Sequence, residues 1–462
     1  MKTLIAWFSM GWRRPVRSHA AVIAVLLVGC LSTATVLAEE ETPATVYPAP
    51  TKWWQVYDPA VLLSLNVQLK AEDYETIQTD ETFDIEVEGV FWVDNIEPNP
   101  GSWKASIRRK SATPIGEKIS YRLKLETNID TGIARWNNIR SFSLENGDDQ
   151  DVVSEGLAWF LHRQAASADY RPGLAAWANL TMHVVGADES IDVRPQGVYL
   201  NVELPDKRFL QNRGMWTSSS TSWLYKQDDI GLPELKEWPN DSKGPESDSP
   251  AYLALNYSPF QKEIVVRKQV QNPVPNDTVL EKDLNHWINM ESLLRLGAAN
   301  AYAVNPDELF NHAKNYFWAD FGDTEENHSP RLYFPWDLDA AIRTPTASIY
   351  GTVTGGGKKT TVSQHPYQQV ILNHPTFRVQ YNEVMKELID GPLAVEPIQQ
   401  FLDGAQVLLT GALLADPNNQ IGNSLEAIAE KFDSLRAWAA ARDASVRVQL
   451  EANGPPDPRV FK

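Results

Sequence analysis

One cysteine, Cys30, stands in a chain of 462 residues. Downstream of it neither a disulfide nor a thiolate metal site can form, whatever the redox state of the compartment. Several enzyme signatures are missing as well. There is no G-x-x-x-x-G-K-S/T phosphate loop, no G-x-S-x-G nucleophile elbow and no H-E-x-x-H zinc helix. The eight His are scattered, with no two at ligand spacing on one helix. Positive charge is also scarce: 42 Lys and Arg against 60 Asp and Glu leave a net charge of −18. Such a surface argues against nucleic acid or anionic membrane as a main partner and suits a basic polypeptide. No internal repeat is visible.

What is present begins at the N-terminus. Lys2, Arg13, Arg14 and Arg17 precede the uncharged run "AAVIAVLLVGCLSTATVLA". A basic start, an apolar centre and the small-residue ending Val36-Leu37-Ala38 read as a secretory signal over 1–38, cleaved before Glu39. Leu27-Val28-Gly29-Cys30 also fits a bacterial lipobox with Cys30 as the lipidated residue, and an uncleaved anchor is the third outcome. The expectation is an exported protein, periplasmic, extracellular or at the cell surface, touching membrane only through this segment. Losing four cations with residues 1–38 takes −18 to −22.

After a polar linker over 39–54, alternating segments follow: "LLSLNVQLK", "FDIEVEGVFWV", "KASIRRKS", "ISYRLKLET", "ANLTMHVVG" and "QGVYLNVELP". "DQDVVSEGLAWFLHRQAA" between them reads as an amphipathic helix with Val152, Leu157, Phe160 and Leu161 on one face. Beyond residue 206 the 3.6-residue period dominates, in "EKDLNHWINMESLLRLGAANAY", "VILNHPTFRVQYNEVMKELID", "PIQQFLDGAQVLLTGALLA" and "LEAIAEKFDSLRAWAAARDASVRVQL". The polar run "TSSSTS" reads as a solvated turn, and "TGGGKKT" as a loop without the strand and helix that phosphate binding needs.

Chemistry concentrates around "RLYFPWDLDAAI". Read with a period of two, Leu332, Phe334, Trp336 and Leu338 share one face, and Arg331, Tyr333, Pro335, Asp337 and Asp339 the other. An apolar strand thus ends on two carboxylates. Upstream lie Asp307, near a helix end, and Asn315, entering an aromatic strand. Phosphoryl transfer needs hard oxygen ligands for a metal and a carboxylate for the acceptor hydroxyl proton, and an Asp, a downstream Asn and a later Asp supply these in protein kinases. Each of the three taken singly also reads as a turn or capping residue.

The stretch "NAYAVNPDELFNHAKNYFWADFGDTEENHSPRLYFPWDLDAAI" resembles the spore coat protein H (CotH) kinase-like family, as do "ISYRLKLET", "NNIRSFSLENGDDQDVVSEGLAWFLHR", "QGVYLNVELPDKRFLQNR", "WLYK" and "SLRAWAAARDASVRVQL", over about residues 55–450. The resemblance implies an α+β, bilobal atypical protein-kinase-like fold, with an antiparallel-sheet N-lobe over 55–205 and a mainly helical C-lobe over 206–462 that holds a catalytic loop at 305–340. It implies transfer of phosphate from ATP, with Mg²⁺ or Mn²⁺, to Ser or Thr of a secreted or coat protein. Carried over residue by residue, Asp307 would be the catalytic acid/base, Asn315 and Asp337 metal ligands, and Asp339 a further or alternative ligand. Lys124 would hold phosphate and pair with Glu155, while Arg108, Lys110 and Arg122 would touch phosphate. Two competing expectations are a non-catalytic surface or coat binding protein on the same scaffold, and a transferase of AMP or glutamate.

Overall fold

In the computed structural model, the residues described are 45–110, 117–216, 222–227, 234–237, 277–310, 314–322, 328–350, 371–372 and 374–452. The N-terminal segment with Cys30, the polar run up to residue 221 and the glycine loop at 355–357 lie outside them.

Alternation in the first half of the chain closes on itself. The elements are β1 (Tyr47–Pro48), β2 (Leu63–Lys70), α1 (Ala71–Thr79), β3 (Val87–Val93), β4 (Ile96–Glu97), β5 (Ser102–Arg109), β6 (Tyr121–Asn128), β7 (Ser141–Glu145), α2 (Val152–Gln164), β8 (Ala175–Val185) and β9 (Ile191–Val202). Seven of these strands form a closed barrel in the order β2-β3-β5-β6-β7-β9-β8. Six contacts are antiparallel, and the seventh, β2 with β8 from Leu63↔Ala178 to Lys70↔Val185, is parallel. The expected antiparallel sheet is therefore present, and a parallel seam removes its edges. Leu65, Val67, Phe91, Leu123, Phe142, Leu180 and Tyr199 fill the interior.

The second half carries α3 (Lys207–Asn212), β10 (Ser222–Gln227), β11 (Glu234–Glu237), α4 (Asp277–Trp287), α5 (Met290–Ala303), β12 (Tyr316–Gly322), β13 (His328–Pro335), α6 (Pro375–Asp390), α7 (Val395–Ala415) and α8 (Leu425–Ala452). A four-stranded sheet runs β11-β10-β12-β13. The helical period across Trp287 and Met290 predicts one helix, but two form. Asn289 breaks the run: its N–H donates to the Arg331 carbonyl at 3.0 Å, and its side chain caps α5 by accepting from Ser292 N–H at 2.9 Å.

The two cores meet along β8, β9 and α2. Ala178, Leu180 and Tyr199 face the barrel interior, whereas Trp177, Val198, Leu200 and Val202 join the second core. The sequence pattern predicts one apolar face for α2, yet lying between the cores the helix is buried nearly all round, Glu155 and His162 included. Gly156 is required there, because a Cβ would fall 2.4 Å from the Trp177 ring.

A buried ion pair fastens the α7–α8 connection to the barrel. Lys118 Nζ donates to Asp416 Oδ2 at 2.8 Å and to the Val198 carbonyl at 2.6 Å, and Val198 N–H donates to the same Asp416 oxygen at 2.8 Å. Burial lowers the Lys118 pKa, and the Asp416 charge opposes that. Gly197, at φ +91°, has no Cβ where Asp416 sits. Among the described residues no helix is long and apolar enough to cross a membrane.

Candidate active site at the barrel rim

Strand register assembles the first wall. Arg108 on β5 lies opposite Arg122 on β6, which lies opposite Ser143 on β7, so these three share the outer face of the barrel. Lys110 continues that face beyond β5, and Glu145 continues it at the end of β7. There the Lys110 ammonium and the Glu145 carboxylate form an ion pair, and Ser143 Oγ donates to Glu145 Oε1 at 2.7 Å. Lys110 Nζ also stands 4.7 Å from the centroid of the Trp336 ring.

The second wall is α2. Asp151 caps it, accepting from Val153 N–H at 2.9 Å and Ser154 N–H at 2.8 Å, and Lys431 of α8 reaches Asp151 at 2.7 Å. One turn on, Glu155 is 2 % exposed. Trp159 Nε1 donates to its Oε1 at 3.3 Å, and its Oε2 has no hydrogen-bond partner among the described residues. Burial raises the Glu155 pKa well above the carboxylate range, and the nearby charges of Glu145, Asp339 and Asp337 raise it further.

The floor comes from the β10–β12–β13 sheet. Tyr316↔Pro335 sets Asn315 and Trp336-Asp337 at one end of the hairpin, and Lys226↔Phe317 brings β10 to the same end. Alternation along "RLYFPWDLD" predicts that the strand itself delivers both carboxylates. The structure corrects this: β13 ends at Pro335, and Arg331 and Tyr333 on the supposedly polar face are buried. Asp337 is presented instead by a turn in which it adopts φ 57°, and Asn315 adopts φ 59°. Left-handed backbone at residues other than glycine costs on the order of 1 kcal/mol each and gathers at functional sites.

Asp337 and Asp339 are half-buried. Burial raises the Asp337 pKa; Lys110, Lys226 and Lys314 pull it down, and Glu145 pushes it up. Asp339 is pushed up to about 8 by burial, then by Asp337, Asp149 and Glu145. Asp307, a few residues past the end of α5, is ion-paired with Lys314 at 2.7 Å, and Lys314 is close enough to act on Asp337. One neighbourhood thus holds Glu145, Glu155, Asp337 and Asp339, with Lys110, Lys226 and Lys314 around them.

Of the residues singled out by sequence, Lys110, Glu155, Asp337 and Asp339 converge, and Asn315 and Asp307 adjoin them. The expected Lys124–Glu155 pair does not form. Lys124 lies further along β6, opposite Ser141, and pairs with Glu126 at 3.2 Å. Arg108 turns away to the Phe83 carbonyl at 2.5 Å and lies 3.9 Å from Asp84, while Arg122 acts on Asp206, the cap of α3. Sequence reasoning gave no role to Glu145, Lys226 or Lys314. Lys226 closes the segment "WLYK" and Lys314 precedes Asn315, so position relative to those motifs was the available signal.

As the side chains stand, no three His, Cys, Asp or Glu among the described residues are close enough to hold a metal ion. The donor set nonetheless fits one chemically. Carboxylate and amide oxygens are the ligands Mg²⁺ and Mn²⁺ take, and the orphaned Glu155 Oε2 and mutually repelling acids are what a cation would satisfy.

Against known proteins, a family model described as "CotH kinase protein" matches residues 108–446. No curated protein matches. A solved structure described as "Crystal structure of the golgi casein kinase" aligns with 87 % of this chain and 78 % of its own, at 10 % identity and a TM-score of 0.26. A likeness that slight carries no argument about activity.

Proposed function

Because the chain belongs to the CotH kinase protein family, we propose that it is an exported phosphotransferase moving the γ-phosphoryl group of ATP to a Ser or Thr hydroxyl of a secreted or coat protein. The observation that carries this reading is the convergence of Glu155, Asp337 and Asp339 beside Lys110 and Lys226, with the Asp307–Lys314 pair adjoining. A binding scaffold has no use for one buried and two half-buried acids crowded together beside two lysines.

Asn315, Asp337 and Asp339, with Glu155, would hold Mg²⁺ or Mn²⁺. When bound, the ion neutralises these carboxylates and the phosphate oxygens they face. Lys110 and Lys226, both against the Trp336 ring, supply cations for the anionic triphosphate. Asp307, oriented by Lys314, takes the acceptor hydroxyl proton. The hydroxyl oxygen bonds to the γ-phosphorus, the bond to the bridging oxygen breaks, and ADP leaves. The chain's net charge of −18 favours a basic client, and segment 1–38 would direct export, with membrane contact limited to that segment or to lipid on Cys30.

Intact mass tests the proposal. Purified protein is incubated with ATP, free glutamate, a basic Ser-containing protein and Mg²⁺ or Mn²⁺, beside Asp337→Ala. A gain of one phosphate, absent with the variant, is expected. A gain the size of AMP or glutamate moves the chain to another transferase, and no gain together with no nucleotide binding by calorimetry overturns the enzyme reading.

A further inference from the structure

Helix α8 presents Trp438, Arg442, Val446 and Gln449 on one stripe, at i, i+4, i+8 and i+11. Three of these side chains grip the backbone that follows Asp339. Trp438 Nε1 donates to the Arg343 carbonyl at 2.6 Å. Arg442 Nη1 donates to the carbonyls of Pro345 at 2.8 Å and Ala347 at 2.6 Å. Gln449 donates to Ala347 at 3.1 Å and accepts from Ile349 N–H at 2.9 Å, and Tyr381 of α6 donates to the Ile349 carbonyl at 2.6 Å. Every second carbonyl from Arg343 to Ile349 is thereby taken by α6 or α8.

Arg442 also faces the other way. Its Nε donates to the Tyr302 carbonyl at 3.0 Å and its Nη2 to the Ala301 carbonyl at 2.5 Å, in the last turn of α5. The side chain is fully buried, and no carboxylate among the described residues pairs with it. Burying a cation without a counter-ion is costly. The cost is offset by the negative end of the α5 dipole and by four carbonyls that only a planar, many-donor fork reaches together. A hydrophobic side chain would fill the space more cheaply, so the cation is there for what it joins.

What it joins are the two arms of the site. Helix α5 leads through Val304 to Asp307, and segment 343–349 continues directly from Asp337 and Asp339. One backbone bond, Ile342 N–H to the Ala303 carbonyl at 2.7 Å, links the same arms. We propose that Arg442 is a positioning residue for phosphoryl transfer, fixing the acceptor-side Asp307 relative to the metal-side Asp337 and Asp339. The inference rests on the functional reading above. Because each arm keeps its own local contacts without Arg442, nucleotide and metal still bind, and the loss falls on alignment of acceptor and phosphoryl group. A misplacement of about 1 Å costs on the order of a hundredfold in rate.

The test uses the full chain with Arg442→Gln, Arg442→Lys and Trp438→Phe, read by steady-state kinetics and amide hydrogen exchange. Arg442→Gln is expected to lower kcat about a hundredfold while KM for ATP stays within about threefold. Amides of 303–310 and 337–349 should exchange faster together, with those of α2 unchanged. Arg442→Lys should fall between Gln and wild type, and Trp438→Phe, which loses the bond to the Arg343 carbonyl but keeps a ring against Tyr302, should loosen 337–349 more than 303–310. A folded Arg442→Gln with wild-type kcat overturns the proposal, as does loosening of one arm only. If Arg442→Gln does not fold, Arg442→Lys decides: wild-type kcat and exchange in it overturn the proposal. If the wild type transfers no phosphate, the functional reading fails, and the exchange pattern alone decides whether Arg442 couples the arms.

Discussion

The β12–β13 hairpin carries charge at both ends and treats the two ends differently. At one, Asp320 and Arg331, each about 1 % exposed, meet at 2.9 Å with the guanidinium 5.0 Å from the centroid of the Trp318 ring. At the other, Asp337 sits on left-handed backbone among Glu145, Glu155 and Asp339, with Lys110 paired to Glu145 and Lys314 to Asp307. The same sheet thus pairs one buried acid, whereas among the described residues no cation closes an ion pair on half-buried Asp337. A closed ion pair is structural; an unmatched acid group at the mouth of a fold awaits a charge from outside.

Exchanging the roles of the two ends gives the largest effect. Asp320→Ala leaves Arg331 buried without its acid and should cost about 3–5 kcal/mol of stability. Asp337→Asn should leave the melting temperature equal or higher while abolishing transfer. Calorimetry beside the mass assay decides, and an Asp337→Asn protein that melts as early as Asp320→Ala would make both ends structural.

A second contrast sets Lys110 against Lys124. Lys110→Ala should raise KM for ATP about tenfold, the scale of one charge-assisted contact, and Lys124→Ala should change it least. The reverse order would return the phosphate role to Lys124.

Third comes pH. Asp339 titrates near 8 in the folded chain, because burial and then Asp337 disfavour its charge, whereas an unfolded carboxyl titrates near 4. The folded state thus holds that proton more tightly. The stability it contributes is full in acid and is lost as pH rises through about 8. Without metal, the melting temperature should fall from pH 6 to pH 9. Asp339→Asn should flatten the slope, and millimolar Mn²⁺ should remove it in the wild type. A slope of opposite sign would show that the acids are paired as they stand.

The smallest effect is expected at Asn315. Glycine relieves the left-handed strain, so Asn315→Gly should shift stability by no more than about 1 kcal/mol while slowing transfer. Loss of stability beyond that would make the Asn315 amide a structural group.

Local pattern made much of the molecule legible. Alternation located β2, β3, β5, β6, β8 and β9, and the parity of "YRLKL" puts Tyr121, Leu123 and Leu125 inward, where the structure has them. Asp337 and Asp339 stand out because two acids follow so aromatic a strand. The rest depends on partners distant in the chain. The β2–β8 seam joins strands more than a hundred residues apart, and no local period encodes it. Five-residue β7, "SFSLE", has too few alternations to stand out, so Glu145 went unassigned with it. Parity likewise gives the face of Lys124 but not its height along the barrel, and height decides that Lys110 meets the acids.

The Lys118–Asp416 pair spans 298 residues, and this separation governs when the protein can mature. Until Asp416 arrives from the end of α7, Lys118 and the Val198 N–H at the barrel wall lack the carboxylate to which both donate. A nascent chain that has completed all seven barrel strands is therefore still incompletely folded. Its first half should remain loose until nearly the whole polypeptide has been made, and the two cores should then lock, and later melt, in a single cooperative step.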